Sequence, residues 1–281
     1  MLPTLALCSD GESGVKVSWA AILCAAALFF AAAPGCADDA DSNWEGYGSL
    51  GVGLLPDYDG SKYYEVLPYI EARLNYGNYY ARFDGGALRF NIVDDEAFHA
   101  GPLLGYRRGR GTVDSAIISK LSKFNDMLSA GGFVEWEHVA DDPRSGESVM
   151  IAADDAVMGT RSGWQVVLRA DMRRPVEAIN PGFIVTVEGD ATWSTDEYMQ
   201  SYFGISPADS AASGLPVYSA GDGFSQLGAA LCVDQFLSRH WSVGLRMHYG
   251  RMMSDAARSP ITSVAGSPNQ YFLGAVVGYV L

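Results

Sequence analysis

From His240 to Gly250 apolar side chains fall on every second position: Trp241, Val243, Leu245, Met247 and Tyr249 alternate with His240, Ser242, Gly244, Arg246, His248 and Gly250. Successive side chains of an extended strand point to opposite faces, so this spacing predicts a strand with one apolar and one polar face. The pattern recurs along the chain. Val66, Pro68, Ile70, Ala72 and Leu74 share a face, as do Trp164, Val166, Leu168, Ala170 and Met172, and Phe183, Val185, Val187, Ala191 and Trp193. The opposite faces carry Arg73, Arg169, Asp171, Glu188 and Asp190.

Two architectures offer such strands a solvent for each face. One is a soluble sandwich or lipocalin-like barrel, the other a membrane barrel with lipid outside and water within. Several apolar faces here begin or end in an aromatic residue, as Tyr271 and Tyr279 do around Leu273, Ala275 and Val277. Aromatic girdles at the two membrane interfaces produce that arrangement. Eight residues at about 3.4 Å each, tilted by about 40°, rise roughly 21 Å, close to the apolar band of outer-membrane barrels. Past residue 37 no run reaches the ~18 apolar residues of a spanning helix. The expected fold class is therefore all-β, a closed antiparallel transmembrane β-barrel.

The start of the chain agrees with export. Lys16 precedes the apolar run from Val17 to Ala33, followed by Gly35-Cys36-Ala37 and the acidic Asp38-Asp39. A basic start, a short hydrophobic middle and small residues at a cleavage point read as a secretory signal over 1–37, leaving 38–281 as the barrel domain. Residues 1 to 14 sit oddly before that signal, and Val15 is a candidate alternative start. Cys36 invites lipidation, but Ala33 stands where a lipobox usually has Leu. Only Cys232 lies past the expected cut, so no internal disulfide framework is expected. The net charge of −14, with 19 Lys and Arg against 33 Asp and Glu, argues against nucleic acid as a partner.

Candidate strands fall near 44–55, 64–75, 78–92, 97–108, 129–139, 147–158, 163–173, 182–193, 222–236, 240–251 and 270–281. That is an odd count, whereas single-chain bacterial barrels have even numbers. Twelve strands are expected, with ten as the alternative, and the discrepancy is expected between Asp94 and Pro181. Counting back from Leu281 makes Leu237–Arg239 a periplasmic turn and 194–221 an outer loop. Ser115 to Leu128 breaks the alternation by placing Ile117, Ile118, Leu121, Phe124 and Leu128 on one helical face, as a mouth-capping helix would, or it hides the missing strand. Pro68 predicts a bend or bulge.

Four groups of residues carry side chains that chemistry could use. His240 and Ser242 share the polar face of one strand, the arrangement a serine hydrolase or lipid A deacylase would need, but no acidic orienter is specified. Asp57-Tyr58-Asp59-Gly60-Ser61 resembles a calcium loop only in part, since Lys62 stands where an EF-hand has Gly, and a turn set by Asp and Gly is the better reading. His99, His138 and His248 lack metal spacing. Asp84, Asp171, Glu188 and Asp190 with Arg73, Arg82, Arg169 and Arg246 are expected to cross-brace a narrow lumen, because unpaired buried charge is costly. No catalytic, cofactor-binding or metal residue is assigned. The loop Asp196–Tyr218 holds Tyr198, Tyr202, Phe203, Leu215, Pro216 and Tyr218, which suits either a partner surface or a lid over the barrel mouth.

The segments LPDYDGSKYYEVLPYI, GPLLGYRRGR, GGFVEWE, DEYMQSYFGIS, SGLPVY, RMMSDAARSPIT and SPNQYFLGAVVGY together resemble the MltA-interacting protein family, also called MipA/OmpV. The resemblance runs from about Gly51 to the C-terminus. It implies a Gram-negative outer-membrane barrel in contact with outer-membrane lipids. It further implies a non-catalytic scaffold joining a periplasmic lytic transglycosylase to a murein synthase in peptidoglycan assembly. The alternative is a narrow solute-handling porin or a lipid A-modifying hydrolase. Relatives commonly end in Phe, whereas this chain ends Tyr279-Val280-Leu281. If the barrel closes, its first and last strands pair, and Pro56–Ser61 is expected against Ser254–Thr262 at the extracellular rim.

Overall fold

The computed structural model describes residues 44–159 and 161–281. The expected signal segment and the first three cysteines lie outside them. Twelve antiparallel strands close into one barrel, each pairing with its sequence neighbour and β1 pairing with β12. They are β1 Trp44–Pro56, β2 Tyr64–Tyr76, β3 Tyr79–Asp84, β4 Ala87–Asn91, β5 Phe98–Arg107, β6 Met127–Val139, β7 Gly146–Met158, β8 Gln165–Pro175, β9 Phe183–Ser194, β10 Gly223–Phe236, β11 Trp241–Met252 and β12 Asn269–Val280. Both ends of the barrel chain meet at one rim, where Tyr47 pairs with Val280. The long loops lie at the other rim, which makes it the extracellular one.

The twelfth strand was not between Asp94 and Pro181. It lies within 78–92, where Gly85 and Gly86, both at positive φ, turn the chain back and divide that stretch into β3 and β4. Consecutive glycines supply the left-handed backbone that a two-residue hairpin requires. The expected helix over Ser115–Leu128 is also corrected. Only Ile118–Lys120 forms a 3-10 turn, and Met127 and Leu128 already belong to β6. Extension wins because Arg110 N–H donates to the Phe124 carbonyl and Gly109 N–H to Asp126, both at 2.8 Å. Pro68 causes no register shift against β1.

The barrel is apolar on its outside. Leu54, Val66, Leu168, Val187, Leu245 and Leu273 are exposed on the outer face. Trp44 packs on Tyr76 at one rim and Tyr249 on Tyr271 at the other, with ring centroids 4.9 and 5.3 Å apart. Lipid solvates this belt, so alternation in sequence becomes inside and outside in space. The largest apolar clusters sit in the extracellular loops rather than in the barrel wall.

Candidate functional site: a braced lumen under an extracellular lid

The lumen holds a cavity of about 990 Å³ crossed by ion pairs between distant strands. Arg73 of β2 reaches Glu137 of β6 at 3.2 Å, and Arg246 of β11 pairs with Glu71 of β2 and with Asp234 at 3.0 Å. Asp84 of β3 receives Arg82 at 2.7 Å, Arg89 at 2.6 Å and, more distantly, Arg169 of β8, which also pairs with Glu188 at 3.3 Å. The expected cross-bracing is present around Asp84 and Glu188, but Arg73 finds Glu137, and Arg246 finds Glu71 and Asp234, none of them among the acids expected from the sequence. Asp171 accepts from Ser148 at 2.6 Å, and Asp190 meets His248 at 2.8 Å. Charges paired this closely across a confined space hold opposite walls at fixed separation.

Four extracellular loops roof this lumen. Two helices lie in the loop after β9, α1 Asp196–Phe203 and α2 Pro207–Ser213. Two more follow β11, α3 Ser254–Arg258 and α4 Pro260–Ser263. Local sequence sets α2: Ser206 accepts from Asp209 N–H as N-cap, Pro207 occupies the first turn and Gly214 closes it at φ +79°. Phe124, Tyr198, Met199, Tyr202, Phe203 and Ala256 pack into one buried cluster, and Tyr58, Ile118, Leu121, Ile205, Leu215 and Ile261 into a second. The aromatic loop therefore folds down as a lid. The apolar residues Ile118, Leu121 and Phe124 are all buried, but from one 3-10 turn at Ile118–Lys120 followed by extended chain.

An arginine run, Arg107, Arg108 and Arg110, ties the lid to the barrel. Arg107 pairs with Asp154 at 2.8 Å, donates to the Gly163 carbonyl and lies 5.2 Å from the Tyr198 ring. Arg108 donates to the carbonyls of Pro56 and Asp57 and pairs with Glu65. Arg110 donates to the Tyr202 carbonyl at 3.0 Å, and burial together with nearby Arg161 lowers its pKa to about 10. The spacing of three arginines in four residues was the available signal, but their partners lie far away in sequence.

The other sequence candidates separate. His240 Nδ1 pairs with the Val280 carbonyl at 3.0 Å and its ring stacks on Tyr279, while Ser242 is buried on the lumen side, and no hydrogen bond joins the two among the described residues. His99 faces Glu137, and His138 stacks on Trp136. At the corner, Asp57 accepts from Asp114 N–H and Asp59 from the Tyr198 hydroxyl, both lid contacts. Burial raises the Asp59 pKa, against the opposing pull of Arg108 and Tyr198. Cys232 is a half-buried free thiol on the lumen side of β10. The corner also meets its expected neighbour, since Tyr58 packs with Ile261 in one buried cluster and Gly60 lies against Thr262; just past that stretch Ser267 N–H donates to the Gly60 carbonyl, and Gly60 N–H to Gln270 at 3.3 Å.

A closed barrel with a lipid-facing belt, aromatic girdles and an ion-paired interior is an integral outer-membrane β-barrel of a Gram-negative bacterium. The family model described as MltA-interacting protein MipA matches residues 49–281, and the chain belongs to that family. No curated protein matches it. Among solved structures, an outer membrane channel from Pseudomonas putida F1 is 12% identical with a TM-score of 0.45, covering 84% of this chain and 95% of that one. OmpT of Vibrio cholerae is 8% identical with a TM-score of 0.41, covering 85% and 97%. The translocator domain of the autotransporter NalP from Neisseria meningitidis is 12% identical with a TM-score of 0.38, covering 92% and 97%.

Proposed function

We propose that this barrel is a non-catalytic membrane anchor that holds a periplasmic lytic transglycosylase, and with it a murein synthase, against the outer membrane. Membership of a family described by its interaction with MltA is the observation that carries the reading. The geometry is compatible with it: the lumen is spanned by ion pairs and roofed by a packed lid, which leaves the rims as the surfaces free to act. At the periplasmic rim Arg144 pairs with Asp142 at 2.8 Å and Glu177 at 3.0 Å and donates to the Pro181 carbonyl. Those contacts lock two neighbouring turns into one polar platform that a periplasmic enzyme could meet without entering the bilayer.

A pull-down from solubilised membranes with the cognate lytic transglycosylase as bait is the direct test. Enrichment of this barrel over an unrelated one supports the reading, and equal recovery sinks it. The lumen cavity favours a second reading, a narrow solute-handling barrel. Planar-bilayer recordings address it, and conductance no larger than that of the lipid alone would remove it.

A further inference from the structure

The wall of the barrel is not fully laddered. β2 pairs with β1 along its whole length from Tyr64 to Tyr76, but with β3 only from Ala72 to Tyr76. The β3–β4 hairpin turns back at Gly85-Gly86, and its far side joins β5, where Tyr106 N–H donates to the Gly86 carbonyl at 2.9 Å. Among the described residues, β2 from Tyr64 to Glu71 therefore has no strand on its second edge. Pro68, which has no N–H to offer, sits in the middle of this bare edge, where a proline is tolerated in a strand.

The notch lies at membrane depth. Tyr76 belongs to the lower aromatic girdle, and the Tyr64 hydroxyl accepts from the N–H of Tyr271 in the upper one. Val66, on the lipid-facing side between them, is 65% exposed. Unpaired backbone at this depth persists only where it lines a watery space, because hydrocarbon cannot satisfy its polar groups. The lumen cavity supplies that space. Its lining includes the lumen residues Glu71 and Asp84 and also Pro68, Ile70, Phe83 and Tyr106 around the notch, so the two are continuous.

We propose that this notch is a lateral portal, through which the apolar chain of a single-chain amphiphile dissolved in the outer leaflet enters, with its polar head in the lumen. The chemistry is graded along that path. Pro68, Ile70 and Phe83 make an apolar outer rim. Just inside, Leu67 and Leu55 line the same cavity, with Tyr69 packed on Phe272 at 5.1 Å. Beyond them stand the ion pairs around Asp84 and Glu71. The Arg108–Glu65 pair, fastened to the Pro56 and Asp57 carbonyls, forms a lintel above. A lid with two buried clusters covers the axial extracellular route. Braces run from β2 itself, Arg73 to Glu137 and Glu71 to Arg246, across the space behind the notch, which favours a molecule with one chain to thread between them.

The test places a bimane fluorophore on Leu67→Cys in a Cys232→Ser background, in phosphatidylcholine nanodiscs. The comparison site is Ala230→Cys, a lumen-lining position on β10, whose two ladders continue past it. Stearic acid with a nitroxide near its carboxyl end should quench the Leu67 site saturably and roughly twofold more than the Ala230 site, as expected of a bound chain. Adding Ile70→Trp at the rim should lower that quenching to the Ala230 level, with heat-modifiable gel mobility showing that the barrel is folded. Equal quenching at the two sites, or undiminished quenching in a folded Ile70→Trp barrel, overturns the proposal. Quenching by chain-labelled phosphatidylcholine but not by the fatty acid also overturns it, as does protection of Leu67 within a dimer paired along β2. If Ile70→Trp does not fold, the comparison of the Leu67 and Ala230 sites decides alone.

Discussion

Gly60 and Thr262 meet across the seam where the two ends of the barrel sheet close. A Cβ on Gly60 would stand 2.6 Å from Thr262 Oγ1, and Gly60 itself is held at φ +88°. Both the space and the backbone conformation exclude a side chain there. Gly60→Ala should lower stability by about 1–3 kcal/mol, through left-handed strain and the clash with Thr262. The midpoint of heat-modifiable mobility would read this directly, and an unchanged midpoint would mean that the corner does not contribute to the seam.

Arg73 and Glu137 span the lumen and are both largely removed from water. Removing one partner leaves a buried charge, so Arg73→Leu should cost roughly 3–5 kcal/mol, whereas Arg73→Leu with Glu137→Leu should be far closer to the parent. Denaturant unfolding in detergent would separate the two variants. Additive losses would argue that the pair does not act as a unit.

Met199 is fully buried in the lid cluster, where the lid meets the strand ends at Met127 and Met252. Met199→Ala should destabilise the lid by about 2–5 kcal/mol. The loss should be local, seen as faster protease nicking between Ser194 and Gly223 with an unchanged heat-modifiable shift. Unaltered nicking would show that the lid does not depend on this cluster.

Asp255 gives the lid a dependence on acid. A hydrogen bond from Gly221 N–H holds its carboxyl below the usual range, and Arg258 and the Tyr218 hydroxyl add to this. A carboxylate with a lowered folded pKa stabilises fully above its unfolded pKa and loses that contribution as pH falls through the folded one. Hydrogen exchange at Gly221, corrected for intrinsic rates, should therefore accelerate as pH drops below the ordinary Asp range, and Asp255→Asn should flatten that response.

Asp59 has the opposite sign. Burial raises its pKa, so its contribution is present below the unfolded pKa and is lost as pH rises through the folded one. Asp59→Asn, which keeps an acceptor for Tyr198, should slow lid nicking at neutral pH relative to the parent. Faster nicking would mean that Arg107 and Arg108 outweigh burial at this site.

How much was legible follows from which interactions are local. β11 and β12 could be read directly, because lipid on one side and a polar interior on the other impose period two on the sequence. β3 and β4 were missed as separate strands, since each is short and Gly85-Gly86 passed for part of one longer run. The lumen charges were legible as a set, but not their pairing: nothing near Arg73 in the chain points to Glu137. Ile118, Leu121 and Phe124 carried a helical spacing, yet the segment forms only one 3-10 turn, and all three pack against partners from other loops.

By itself the sequence determined an exported, all-β chain with a lipid-facing belt and a charged interior, because alternation between two solvents is written residue by residue. Tertiary structure alone decided that the aromatic loop is a lid, that Arg107, Arg108 and Arg110 fasten it, and that β2 keeps a bare edge. Each of these depends on which distant segments meet. Barrel closure brings Gly60 to Thr262 and Arg73 to Glu137, and hydrogen bonds and ion pairs form at a few ångströms whatever the separation along the chain.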